Sequence, residues 1–247
     1  MRSLSPSTAV PDAIAEQWPV RLVAAWGFSL SMLAGFINAH AFLTAFKVPV
    51  SHMSGTVSRL GLDVGAGEFN EETLVTFSIL VAFFAGAVLS GAIIGHRVLL
   101  PGRRYGAVLA LEGVILLLAA WMFGCLPLWG TVAVALACGL QNAMASSYLG
   151  LVLRTTHITG VMTDLGTMLG HWARGHQPSW GKAGVLLSIF AGFMAGGVAA
   201  AALFHRLPFD PLWALGGALL FIGATYYAYR VWLRRRLGDK QTLANDE

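Results

Sequence analysis

Residues 35–39 read Gly35-Phe36-Ile37-Asn38-Ala39, and residues 139–143 read Gly139-Leu140-Gln141-Asn142-Ala143. Each is followed at nearly the same distance by a hydroxyl-His-x-hydroxyl-Gly run: Ser51-His52-Met53-Ser54-Gly55 in the first case, Thr156-His157-Ile158-Thr159-Gly160 in the second. The register continues, with Gly61 returning as Gly166 and Phe83-Phe84-Ala85-Gly86-Ala87-Val88 matched by Phe193-Met194-Ala195-Gly196-Gly197-Val198. Matched pieces in the same order mark an internal duplication, and its meaning depends on what lies between them.

What lies between them is apolar. Of the 247 residues 56% are hydrophobic and 11% charged, with a mean hydropathy of +0.67, against roughly 25% charged in an ordinary soluble domain. Runs such as Leu74 to Leu100 and Pro211 to Leu233 exceed the roughly 18 apolar residues read as a bilayer span. Between breaker and charge clusters six spans are predicted, at about 22–46, 74–99, 105–123, 128–153, 184–204 and 211–233. All are expected to be helices, because a lipid-exposed segment must satisfy its own backbone hydrogen bonds. The 29 glycines suit helices that approach closely in lipid. The chain is thus an all-α polytopic membrane protein with six transmembrane helices, which excludes an ordinary soluble, secreted, fibrous or disordered protein.

Each copy of the duplication holds three spans, 22–125 and 126–233, between tails at 1–21 and 234–247. Three is odd, so the second copy crosses the bilayer in the opposite sense, giving a 3+3 inverted repeat. With the N-terminus in the cytoplasm, thirteen of the 16 Lys and Arg fall inside and only Lys47, Arg59 and Arg206 outside. Basic residues gather on the cytoplasmic side, so both termini are expected there. Ala39-His40-Ala41 has the form of a signal-peptidase site, but the motif around it recurs downstream, which argues for a retained span.

The links after spans one and four do not read as simple loops. Residues 52–62 and 157–172 open on a hydroxyl-His pair suited to capping a helix and continue with too few apolar residues to span. Two readings stand: short re-entrant or broken helical segments lining a path, or amphipathic helices lying on opposite surfaces. In the first, the path lies between the repeats, lined by Asn38, His52, Ser54, Gly55, Asn142, His157, Thr159 and Gly160, with Arg59, Glu112 and Asp164 as gate or coupling groups. The register relates Arg59 to Asp164, so these two either pair at the centre or anchor locally at opposite surfaces. Glu112 stands inside span three without a cation within one turn; it is read either as a functional, proton-carrying acid, since intramembrane carboxyls are costly and functional by default, or as a structural group that hydrogen-bonds between helices or sits nearer the headgroups. Asn38 and Asn142 serve either as interhelical ties or as solute ligands, and His52 and His157 as proton relays or structural groups.

Gly192 and Gly196 form a Gly-x-x-x-Gly face suited to packing within the chain or against a second copy. Cys125 and Cys138 lack metal-ligand spacing, His171 and His176 are solitary, and the phosphate-loop, dinucleotide and His-Glu-x-x-His signatures are absent. No cofactor, no metal and no nucleic-acid partner is expected, since the basic residues flank spans. An intramembrane enzyme is disfavoured because Ser51-His52 and Ser54-His52 have no evident acid.

The duplicated Gly-x-x-Asn-Ala and hydroxyl-Gly motifs, with Cys138-Gly139-Leu140-Gln141-Asn142-Ala143 and Thr155-Thr156-His157-Ile158-Thr159-Gly160 in the second half, resemble the YoaK family of bacterial multispan proteins. The chain departs from that family's pattern at Asn38, where members carry an acid, and at Ser54-Gly55-Thr56, where they carry Thr-Gly-Asn. The resemblance covers nearly the whole chain and implies a multi-pass protein of the bacterial inner membrane, a domain of unknown function without an established substrate. The expected function is a transporter or channel for a small solute, or alternatively a non-transporting membrane sensor, chaperone or scaffold.

Overall fold

The computed structural model describes residues 19–44, 46–95, 103–146 and 156–243. Among them are eight helices: α1 (Val20–Leu43), α2 (Met53–Ala66), α3 (Glu71–Ile94), α4 (Arg103–Phe123), α5 (Pro127–Ser146), α6 (Ile158–Ala173), α7 (Trp180–Arg206) and α8 (Leu212–Leu243). Six are long and apolar enough to cross a membrane, while α2 and α6, of 14 and 16 residues, are shorter than the roughly 20 a span needs. The last helix runs on to Leu243, so the stretch from 234 begins as helix. The expected span ends at 99 and 153, residues 1–18 of the N-terminal tail, residues 244–247 of the other, and Arg97 and Arg154 lie outside the described residues.

Local chemistry sets several boundaries. Asn70 accepts a hydrogen bond from the Thr73 amide at 3.0 Å and completes a capping box that starts α3. Its far end closes at Gly95, whose φ of 71° lies in the left-handed region, where the Arg104 guanidinium donates to the Ile94 carbonyl at 2.9 Å.

The long helices pair across the duplication rather than within it. The main partners are α1 with α7, α3 with α5, and α4 with α8. Glycine places backbone against backbone at each pairing. A Cβ on Gly35 would collide with the backbone of Phe193, and one on Gly139 with the backbone of Phe83. Gly196 likewise meets Met32, and Gly86 meets Leu136. These contacts are reciprocal: each residue in the first copy has its counterpart in the second. In the third pair Gly106 faces Gly223 and Gly113 faces Gly216. Rising numbers on α4 meet falling numbers on α8, so these two equivalent helices run antiparallel, as inversion requires. Gly192 and Gly196 are buried against Phe28 and Met32 of α1. Packing within the chain therefore uses up the face that sequence also offered to a second copy.

Because lipid supplies no hydrophobic drive between helices, close van der Waals approach at small residues holds them together. Gly35→Ala and Gly139→Ala are each expected to destabilise the protein by about 1–3 kcal/mol, as for overpacked interiors. Gly61 and Gly166 have open space around their Cβ positions, so alanine there is expected to be neutral or to stabilise by up to about 1 kcal/mol through helix propensity. Unfolding of the detergent-solubilised protein followed by circular dichroism checks both.

Candidate functional site

The duplicated motifs form the same structure twice. In the first copy Asn38 Oδ1 accepts hydrogen bonds from Ser51, at 2.8 Å from the hydroxyl and 3.3 Å from the amide. In the second, Asn142 Nδ2 donates to Thr156 Oγ1 at 2.7 Å. The asparagine of each first span thus grips the hydroxyl residue that precedes each short helix. His52 and His157 follow as the N-cap residues of α2 and α6 with nearly equal backbone angles, φ −98°, ψ 68° and φ −92°, ψ 60°, and neither has a side-chain cap bond. The expected helix-capping by the hydroxyl-His pair is therefore not what forms: the hydroxyls are held by Asn38 and Asn142, and those asparagines act as ties.

The remaining lining candidates separate. Half-buried His52 stacks on Phe193 with centroids 6.3 Å apart, and its burial holds the imidazole below its ordinary range. His157 is exposed, and its ring fills the space where a Cβ on Gly160 would stand. Ser54, Gly55 and Thr159 are exposed. They belong to matched faces, Ser54, Ser58, Gly61 and Gly65 on α2 and Thr159, Thr163, Gly166 and Gly170 on α6, all exposed. The short helices pack on different spans, α2 on α3 and α6 on α7, so these residues do not gather around one cavity.

Arg59 and Asp164 do not pair with each other. Arg59 forms an ion pair with Glu72 and lies 3.5 Å from Asp63, whereas Asp164 lies 3.4 Å from Lys182. In the register that relates Gly86 to Gly196, Glu72 corresponds to Lys182. The same bridge is therefore built twice with its charges exchanged, tying α2 to α3 by Arg59–Glu72 and α6 to α7 by Asp164–Lys182. This is the local-anchor reading of the two residues, and it explains why symmetry relates a cation to an anion. In the first copy buried Asp63 adds a hydrogen bond from Thr73 at 2.9 Å.

Glu112 is fully buried in α4, and among the described residues neither carboxyl oxygen has a hydrogen-bond partner. It lies within electrostatic reach of the Cys138 thiol on α5. Ser31 on α1, Ser90 on α3 and Gln141 on α5 also hold buried oxygens without partners among the described residues, while the Gln141 amide donates to the Leu30 carbonyl of α1 at 3.3 Å. Among the described residues no group of three His, Cys, Asp or Glu is placed to hold a metal. Two groups that sequence reasoning passed over meet at one end of the bundle: Nε2 of buried His40 is 2.8 Å from Oδ1 of partly exposed Asp210. His40 was visible only as part of Ala39-His40-Ala41, and Asp210 is 170 residues away, so no local pattern joins them.

Six apolar helices, paired reciprocally across a duplication, define a multi-pass helical membrane protein of the inverted-repeat type. A family model described as "Protein of unknown function (DUF1275)" matches residues 26–225, and the chain belongs to that family. The match begins in α1 and ends in α8, so it takes in all six long helices. No curated protein and no solved structure matches the chain.

The exchanged bridges allow a double-mutant cycle. Both partners are about half exposed at Asp164–Lys182, where an ion pair contributes about 0–1 kcal/mol. Asp164→Arg alone is expected to destabilise by up to about 1 kcal/mol, and adding Lys182→Glu to recover most of it, measured by reversible unfolding in mixed micelles.

Proposed function

We propose that the protein moves a small solute across the bacterial inner membrane along the interface of its repeats, with Glu112 as the proton-carrying coupling group. The observation that carries this reading is the Glu112 carboxyl, fully buried in a membrane span with both oxygens unpartnered among the described residues. A lone charge there would cost several kcal/mol, so in this packed state the group is held as the neutral acid. Release of its proton needs a different state in which water or a cation reaches it, which is the requirement of an alternating-access carrier. Inverted repeats supply the means, since exchange of the two halves' roles reverses which side is open. A catalytic role has less support: the Ser51 hydroxyl is engaged by Asn38. Placement of both termini in the cytoplasm follows the distribution of basic residues, and the name YoaK follows the resemblance of the repeated motifs.

The test is flux into proteoliposomes with an internal pH dye, using a panel of small organic acids, inorganic ions, amino acids and neutral solutes. Wild type is expected to move one class with protons, Glu112→Gln to lose at least tenfold in proton-linked flux while remaining folded, and Glu112→Asp to retain part of it. Undiminished proton-linked flux in Glu112→Gln would remove Glu112 from the mechanism. Silence of correctly inserted wild type across the panel would overturn transport in favour of a sensor or scaffold.

A further inference from the structure

At the end of the bundle where α1 stops, the α4–α5 hairpin and the α7–α8 link flank an open cleft of about 370 Å³, walled by Leu43, Phe123, Pro127 and Phe204 and lined also by Thr44, Lys47 and Asp210. This is within the usual range of small-molecule sites. Lys47 has a φ of 50° and is the only non-glycine among the described residues with a positive φ.

Behind the wall lies His40, fully buried, its ring 5.6 Å from those of both Phe123 and Phe204. A carboxylate only accepts, so His40 Nε2 donates to Asp210 Oδ1 at 2.8 Å, leaving Nδ1 without a partner among the described residues. The same Oδ1 accepts from the Leu212 amide at 2.8 Å. Asp210 is thereby fixed through one oxygen. Among the described residues its other oxygen has no partner, and Lys47 forms no ion pair.

We propose that this cavity binds a small zwitterion of the α-amino-acid type with an apolar side chain. A simple anion would meet Lys47 but also Asp210, and a simple cation the reverse. A ligand carrying both charges places its carboxylate at Lys47 and its ammonium at the free Asp210 oxygen, with its side chain on Phe123, Phe204, Leu43 and Pro127. Opposite charges beside an apolar wall also select against each half of such a ligand, because removing one charge leaves a site group unpaired. The inference goes beyond the transport reading, since binding here holds whether or not the solute crosses. By the charge distribution this end faces away from the cytoplasm.

The experiment is isothermal titration of the purified full chain in nanodiscs with L-leucine and L-phenylalanine. Controls are leucinamide, which lacks the carboxylate, and 4-methylpentanoate, which lacks the ammonium. Saturable binding of at least one amino acid is expected, with both leucine analogues at least tenfold weaker than leucine if leucine is the ligand bound. Lys47→Met should weaken the amino acid at least tenfold but leave leucinamide unchanged, a pattern that a folding defect would not give. Asp210→Asn should do the converse with 4-methylpentanoate. Absence of saturable binding of either amino acid, analogues binding as well as leucine, or full affinity in Lys47→Met would overturn the proposal. Equilibrium binding is read without flux, so its failure is distinguishable from failure of transport.

Discussion

Backbone contact at glycine is the constraint on which the other features depend. Within a bilayer two apolar helices gain little by exchanging lipid for each other, so stability comes from how closely their main chains approach. Gly35, Gly86, Gly139 and Gly196 allow that approach where a single methyl group would strike a neighbouring backbone. Because these contacts run from the first span of one copy to the second span of the other, neither copy completes its packing alone. The duplication is therefore built into the fold, and the two halves are interlocked through α1–α7 and α3–α5.

The scaffold is symmetric, while the chemistry is not. The asparagine ties, the His N-caps and the glycine contacts appear twice. By contrast, Glu112 corresponds to exposed Ile222, and His40 to Met144, in the registers set by Gly86–Gly196 and Gly35–Gly139. The bridge between short helix and span appears twice but with reversed charge. Selection for packing explains the repeated groups. The groups that occur once are those that packing alone does not require, and both lie buried with unpartnered polar atoms. They place a candidate coupling group inside the bundle and a candidate binding cavity at its end.

Much of the fold was legible because it rests on periodic and repeated signals. Apolar length located six spans, with starts within about four residues of those of α1, α3, α4, α5, α7 and α8, although α8 runs on to Leu243 past the expected end at 233, and the Gly35 and Gly139 motifs announced the inversion. The equal seven-residue spacing of Gly106–Gly113 and Gly216–Gly223 was also there to read, and would have extended the duplication to the third span. The site was less legible. Residue type identifies Asn38 and Arg59 as polar groups in an apolar chain, but it does not reveal their partners: Asn38 bonds Ser51 and Arg59 pairs with Glu72, each thirteen residues away. His40 and Asp210 meet only because α1 ends beside the α7–α8 link. Such pairings depend on helix rotation and packing, which composition does not encode.

An inverted repeat makes the two copies face opposite sides of the membrane, with α2 and α6 entered from opposite directions. Membrane-impermeant maleimide labelling of single cysteines tests it directly. Glu68→Cys, after α2, and Gln177→Cys, after α6, both at exposed positions, would be placed in a background lacking Cys125 and Cys138. Position 68 is expected to label in intact cells and position 177 only after the membrane is permeabilised. Labelling of both positions from the same side would contradict the inverted repeat.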